Sequence, residues 1–155
     1  MDITTRTHYL AGPMSGIPQF NFPEFDRVTT RLRDRGYTVI SPAELDRPEV
    51  REASMASLTG TPLHEFDDEA DTWGDFLSRD VKLVADSCNS VILLPNWQGS
   101  KGARLEAFVA MQCGYPIFGY TEDLDPRGEG FFLVHLSYET ILHIMTEVCK
   151  HGAKY

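Results

Sequence analysis

Two acidic residues stand where apolar ones belong, and they are the side chains of this 155-residue sequence best suited to chemistry. Trp73, Phe76, Leu77, Val81 and Val84 recur at helical spacing as one apolar stripe, yet its i+7 position is Asp80. Ala103, Ala107, Ala110, Met111 and Gly114 form a second stripe, of small residues, whose i+3 position is Glu106. Both carboxylates are therefore expected to point at the core side of a sheet. A buried carboxylate must be paired, hydrogen-bonded or lining a cavity, because leaving it bare is costly. One reading is a structural ion pair with Arg79, Lys82 or Arg104. The other is an active site, favoured because both acids flank one strand mouth. Paired carboxylates suit reaction at an acetal-like carbon, where one is nucleophile or ion stabiliser and the other handles the proton. Tyr9, at the end of a short strand, is either the phenol that orients a carboxylate or a core tyrosine with its hydroxyl at the rim.

Three further features bear on binding. Gly99-Ser100-Lys101-Gly102 opens a helix, where free N–H groups, the helix dipole and a hydroxyl make an anion site; the plainer reading is a serine cap. Gly12-Pro13-Met14-Ser15-Gly16 follows the first strand but lacks G-x-G-x-x-G spacing, and no G-x-x-x-x-G-K-[ST] occurs, which disfavours a dinucleotide fold or P-loop. Trp97 either stacks on a base or shields its loop. The five histidines include no H-x-x-x-H pair; His64, Glu65, Asp67, Asp68 and Asp71 could gather a cation, but such an acidic run is more often solvated loop. A metal site is therefore not expected from these residues.

The elements that must position these residues follow from periodicity. Thr7–Ala11 reads as a strand, Pro23 to about Arg35 as a helix carrying Phe25, Val28 and Leu32, and Tyr37–Ile40 as a strand. Ser41 to about Asp71 is irregular, a lid or a disordered insert, with a short helix around Glu49–Leu58. A helix from Thr72, a strand Ser90–Leu94, a helix from Ser100 to about Cys113 and a strand Pro116–Tyr120 follow. Phe131–His135 reads as a fifth strand and Tyr138–Lys150 as a closing helix. The expected fold is a small doubly wound α/β domain, flavodoxin- or Rossmann-like, with a parallel five-stranded sheet and helices on both faces. Ligands in such sheets sit at the carboxyl ends of the strands, here the loops after Ala11 and Leu94.

Composition narrows the partners. Fourteen basic against 23 acidic residues give a net charge of −9, which repels phosphate backbones and argues against nucleic-acid polymers. No apolar run is long enough for a membrane helix, and Met1–Tyr9 carries no secretory signal. Cys88, Cys113 and Cys149 form no C-x-x-C pair and read as buried thiols of a cytoplasmic, reducing compartment.

Tyr9-Leu10-Ala11-Gly12-Pro13, Arg79-Asp80 on a helix, and Ser100-x-Gly102-x-x-x-Glu106 after a strand together resemble the nucleoside 2-deoxyribosyltransferase superfamily. That superfamily includes 2′-deoxynucleoside 5′-monophosphate N-glycosidases and cytidylate N-hydrolases. YLAGPMSG, NFPEF and LLPNWQGSKGARLE are similar to a group of bacterial and often phage-encoded members, over about Thr7–Ser41 and Thr72–Tyr120. The resemblance implies that Glu106 is the nucleophile at C1′, that Asp80 handles the proton or binds the sugar, and that Tyr9 orients Glu106. It implies cleavage of an N-glycosidic bond with retention, no cofactor, and a homo-oligomer. Ser100 and Gly102 stand where nucleotide hydrolases bind a 5′-phosphate and where transferases on free nucleosides carry an acid. Ser15 stands where the deoxynucleotide hydrolases place a phosphate-binding arginine, so Ser15, the Gly12–Gly16 amides or Lys101 must compensate. Gly12, Met14, Ser15, Gly16, Trp97, Ser100 and Gly102 are the expected contacts of a small nucleotide or nucleoside. Base exchange between nucleosides, non-catalytic nucleotide binding and a purely structural role for the acids are the competing readings.

Overall fold

The computed structural model describes residues 3–61, 71–122 and 130–151. In them β1 (Thr7–Ala11), β2 (Thr38–Ile40), β3 (Ser90–Leu93), β4 (Ile117–Thr121) and β5 (Phe132–Leu136) form one sheet, ordered β2-β1-β3-β4-β5. The helices are α1 (Phe22–Asp34), α2 (Pro48–Ala56), α3 (Trp73–Asp86), α4 (Lys101–Gln112) and α5 (Tyr138–Lys150). β1 runs parallel to both neighbours, with Tyr9 opposite Ile40 of β2 and Val91 of β3. The strand order thus reverses beside β1, and such a reversal opens a crevice at the carboxyl ends of β1 and β3.

The edge strand departs from the expectation of five parallel strands alternating with helices. β5 runs antiparallel to β4, with Phe118 opposite His135. A parallel pair needs a crossover of about a dozen residues or more, usually helical. Only residues 122–131 separate β4 from β5, and they include Pro126, Gly128 and Gly130.

Strand side chains alternate between faces, and this alternation sorts the core into two layers. Tyr9, Ala11, Val91, Leu93 and Ile117 pack with Val84 of α3, Ala103, Ala107 and Ala110 of α4, and Ile141 of α5. Leu10, Val39, Ile92 and Phe118 pack on the other face with Phe25, Val28 and Leu32 of α1. The alanine stripe of α4 keeps that helix close to β1, which is what brings Glu106 over Tyr9. Cys88 is buried, but Cys113 and Cys149 are exposed, contrary to expectation. Cys113 caps the end of α4, and Cys149 lies on α5, whose one fully buried residue is Ile141. No helix of the described residues is long and apolar enough to cross a membrane.

Of the irregular 41–71 stretch, residues 62–70 lie outside the described residues, and residues 41–61 form a built wall. A one-turn 3-10 helix, Pro42–Glu44, leads into α2. Arg51 of α2 donates to the Ala43 carbonyl, pairs with Asp26 of α1 at 2.5 Å and lies over the Phe22 ring. Beyond α2 the chain docks on the loop after β1. Gly16 N–H donates to Gly60 O at 3.0 Å and Gln19 N–H to Ser57 O at 2.7 Å. Gly60 has φ +67°, and a Cβ there would stand 2.1 Å from the Ile17 carbonyl oxygen, so glycine is required.

Candidate active site

A cavity of about 970 Å3 occupies the crevice at the ends of β1 and β3. The loop after β1, residues 94–96 after β3, the first turns of α4, the first two turns of α3 and the 42–54 wall line it. Gly12 joins two of these walls: a Cβ there would lie 2.8 Å from Leu94 Cβ, so only glycine lets the two loops close on each other.

The chemistry is assembled from three elements. Period-two alternation turns Tyr9 of β1 toward α4, where it is fully buried. Its hydroxyl donates to Glu106 Oε1 at 3.1 Å. Thr72 and Asp75 form a reciprocal capping box that starts α3, and two turns on Asp80, 8% exposed, lines the cavity. Arg79 Nε donates to Asp80 Oδ1 at 2.8 Å, and Arg79 Nη1 to Asp46 Oδ1 at 2.7 Å. The ion-pair reading is thus realised for Asp80 through Arg79. Lys82 pairs instead with Asp86, and Arg104 donates to the Gln98 carbonyl. Glu106 makes no ion pair among the described residues.

Burial dominates the electrostatics. It pushes the Glu106 carboxyl up to about 8, with the Asp80 charge adding to the rise and the Tyr9 hydrogen bond and Arg79 opposing it. Burial also lifts Asp80 above the usual carboxylate value, while its bond to Arg79 and the Arg79 charge pull it down. The Tyr9 phenol is held well above its ordinary value by burial and by both acids, so it remains a hydrogen-bond donor. One cavity therefore holds two acids in unlike surroundings, one with a cation and one without.

The α4 N-terminus forms another side of the cavity. Ser100 Oγ accepts from Ala103 N–H at 3.2 Å, which is the cap expected of it. The N–H groups of Lys101 and Gly102 head the helix with no intrahelical acceptor. At Gly102 a Cβ would meet only Ser100 Oγ, at 3.9 Å, so packing does not demand glycine there.

Gly12, Met14, Ser15, Gly16, Asp80, Ser100, Gly102 and Glu106 all line this one cavity, and Tyr9 supports its floor. Trp97 does not line it. Asn96 takes a left-handed φ of +65°, the chain turns into the 3-10 helix Trp97–Gly99, and the indole, 6% exposed, packs in the core with Tyr9 and Ala11. The aromatic lining comes from Trp73, Phe76, Phe20, Phe22 and Phe25. Trp73 and Phe76 belong to the stripe read as core, but Trp73 is 45% exposed, because the first turns of α3 border the cavity. Their position on the Asp80 helix was the available signal. Asp46 had none, lying in the irregular segment. Phe20 and Asn21 enter through an unusual turn: Gln19, Phe20 and Asn21 all have φ between +49° and +60°. Asn21 Nδ2 donates to Pro13 O at 2.9 Å and Gln19 Nε2 to Met55 O at 3.1 Å, which hold the turn in place.

Among the described residues no group of three or more His, Cys, Asp or Glu side chains is placed to hold a metal ion. His64, Glu65, Asp67 and Asp68 lie outside the described residues, and Asp71 pairs with Arg47 at 2.8 Å.

No curated protein matches this sequence. A family model described as a domain of unknown function, DUF4406, matches residues 6–119. That span takes in the strand that carries Tyr9, the helices that carry Asp80 and Glu106, and the wall between them, and leaves out β5 and α5. The chain belongs to the DUF4406 family.

Proposed function

We propose that the protein is an N-glycosidase that cleaves the base–sugar bond of (deoxy)nucleoside 5′-monophosphates. The observation that carries this reading is the buried Tyr9–Glu106 hydrogen bond at the floor of a cavity that Asp80 also lines. A carboxylate that only stabilises the fold gains a cation or several donors; among the described residues Glu106 has one phenol and an open cavity. Glu106 is the nucleophile at C1′, Asp80 handles the proton, and Tyr9 orients Glu106. The α4 N-terminus, with Ser100, Lys101 and Gly102, receives the 5′-phosphate. Trp73 and Phe76 offer apolar surface to the base. The sequence resemblance to the nucleoside 2-deoxyribosyltransferase superfamily supports the same reading, which takes with it a small-molecule partner and a cytoplasmic setting.

The test is incubation with a panel of ribo- and deoxyribonucleoside 5′-monophosphates and the matching nucleosides. Released base is read by liquid chromatography, with Glu106→Ala as the blank and a second free base added in parallel. Base release from a monophosphate, absent in the variant, is the expected result. An exchanged base would make the protein a transferase, and no product from any member would count against catalysis on these substrates.

A further inference from the structure

Arg79 links the 42–56 wall to the helix that carries Asp80, and the reaction as described above gives it no task. Its Nη1 holds Asp46 at 2.7 Å and its Nε holds Asp80 at 2.8 Å. The Asp46 side chain is 8% exposed and that of Arg79 30%, so both contacts are largely shielded from solvent screening. The guanidinium also lies 5.5 Å from the centre of the Phe76 ring. A planar cation held by two carboxylates and a ring has one orientation, which a lysine could not reproduce. The groups that act on Asp80 come from three elements: Tyr9 of β1, Asp46 of the wall and Arg79 of α3 itself. Glu106 of α4 in turn feels the charges of Asp80 and Arg79. Arg79 is the only cation in that set.

We propose that Arg79 is a positioning residue: gripped by Asp46 from the wall, it holds the Asp80 carboxylate in one orientation at the cavity that Glu106 also lines. The inference rests on the glycosidase reading and assigns its proton path. Asp80 takes the proton of Glu106, freeing the nucleophile. A Glu106 oxygen bonds to C1′ as the C1′–N bond breaks and its electron pair leaves with the base, and Asp80 delivers the proton to that nitrogen. Water then attacks C1′, displacing Glu106 as a carboxylate. The water proton passes through Asp80 back to Glu106, and the site is restored. A base and a reducing sugar phosphate are the products, with one water consumed.

Carboxyl 13C NMR titration of the intact protein tests this without turnover, with Asp80→Asn and Glu106→Gln used to assign the signals. In the unsubstituted protein Asp80 is expected to titrate below Glu106 and to be ionised at neutral pH. In Arg79→Gln its midpoint should rise by about one pH unit or more. For the active enzyme, kcat should fall about tenfold or more in Arg79→Gln, with little change in KM and with the acid limb of the pH profile moved upward. An Asp80 midpoint unmoved in Arg79→Gln overturns the proposal. So does an Asp80 that is still protonated at neutral pH in the unsubstituted protein, a result that stands even if the variant does not fold. Expected midpoints together with no base release would count against the glycosidase reading alone.

Discussion

The hydroxyl of Tyr9 reaches Glu106 across 97 positions of sequence, and it is the one hydrogen bond that the side chain of Glu106 receives among the described residues. The ring of Tyr9 belongs to the core while its oxygen belongs to the site. Tyr9→Phe therefore removes the function and keeps the packing. A hydrogen bond to a charged group is worth ~1.5–3 kcal/mol, so activity should fall roughly ten- to a hundredfold, with the melting temperature little changed. Steady-state kinetics beside a thermal melt measures both, and full activity in Tyr9→Phe would remove Tyr9 from the mechanism.

Glu106 makes stability depend on pH in an unusual direction. Its carboxyl titrates near 8 when folded and has an ordinary value of 4.5. Between those values the unfolded chain releases a proton that the folded one keeps, so this residue costs stability as pH rises through that window. Glu106→Gln carries no such cost. The two proteins should melt alike at a pH below 4.5, and the variant should melt higher at a pH above 8, by ~2–4 °C for each kcal/mol gained. A constant difference across the range would place the Glu106 carboxyl in an ordinary environment.

Gly102→Ala separates binding from folding. The added methyl group meets nothing closer than Ser100 Oγ at 3.9 Å, and alanine favours a helix by ~1 kcal/mol over glycine. The variant should be as stable as the parent or more so. Its affinity for monophosphates should drop about tenfold, because the methyl group stands at the head of α4. Affinity for the matching nucleosides should hold. Calorimetric titration with both ligand classes decides it, and equal losses would move the phosphate elsewhere.

Two tryptophans should behave oppositely. Trp73 lines the cavity and is 45% exposed, whereas Trp97 is 6% exposed in the core. Trp73→Ala should raise KM and spare the melting temperature. Trp97→Ala should cost ~3–5 kcal/mol of stability, as large-to-small core changes do. The reverse pattern in melts and kinetics would restore Trp97 as the base contact.

This contrast marks how far the sequence could be read. Helical and strand periods located the five strands, the helices and the two inward acids, because burying an apolar face leaves a repeating trace. Period alone does not report depth, so the α3 stripe read as core turned out to include Trp73 at a cavity. Nor does it report turns: a left-handed Asn96 and the left-handed run from Gln19 to Asn21 redirect side chains with no apolar repeat to announce them. The antiparallel β5 depended on connection length rather than on strand composition. Asp46 is recognisable only once Arg79 is seen between it and Asp80.

Gly60→Ala should loosen the wall. Its methyl group would overlap the Ile17 carbonyl, 2.1 Å away, and strain a backbone at φ +67°. Hydrogen exchange should accelerate at the Gly16 and Gln19 amides, which donate to Gly60 and Ser57. Exchange at Tyr9 and Leu10 in β1 should stay slow. Unaltered protection at Gly16 and Gln19 would show that the wall is held by other contacts.

Three of the bonds that moor residues 41–61 end on main-chain atoms: the carbonyls of Gly60, Ser57 and Met55. Substitution changes side chains and leaves such carbonyls in place. Val50 and Ser54, which line the cavity from this segment, can therefore be substituted with those three bonds left in place. Tyr9 and Glu106 are anchored on the sheet and α4, outside this segment. Diversification of what enters the cavity is thereby decoupled from the side chains at its floor.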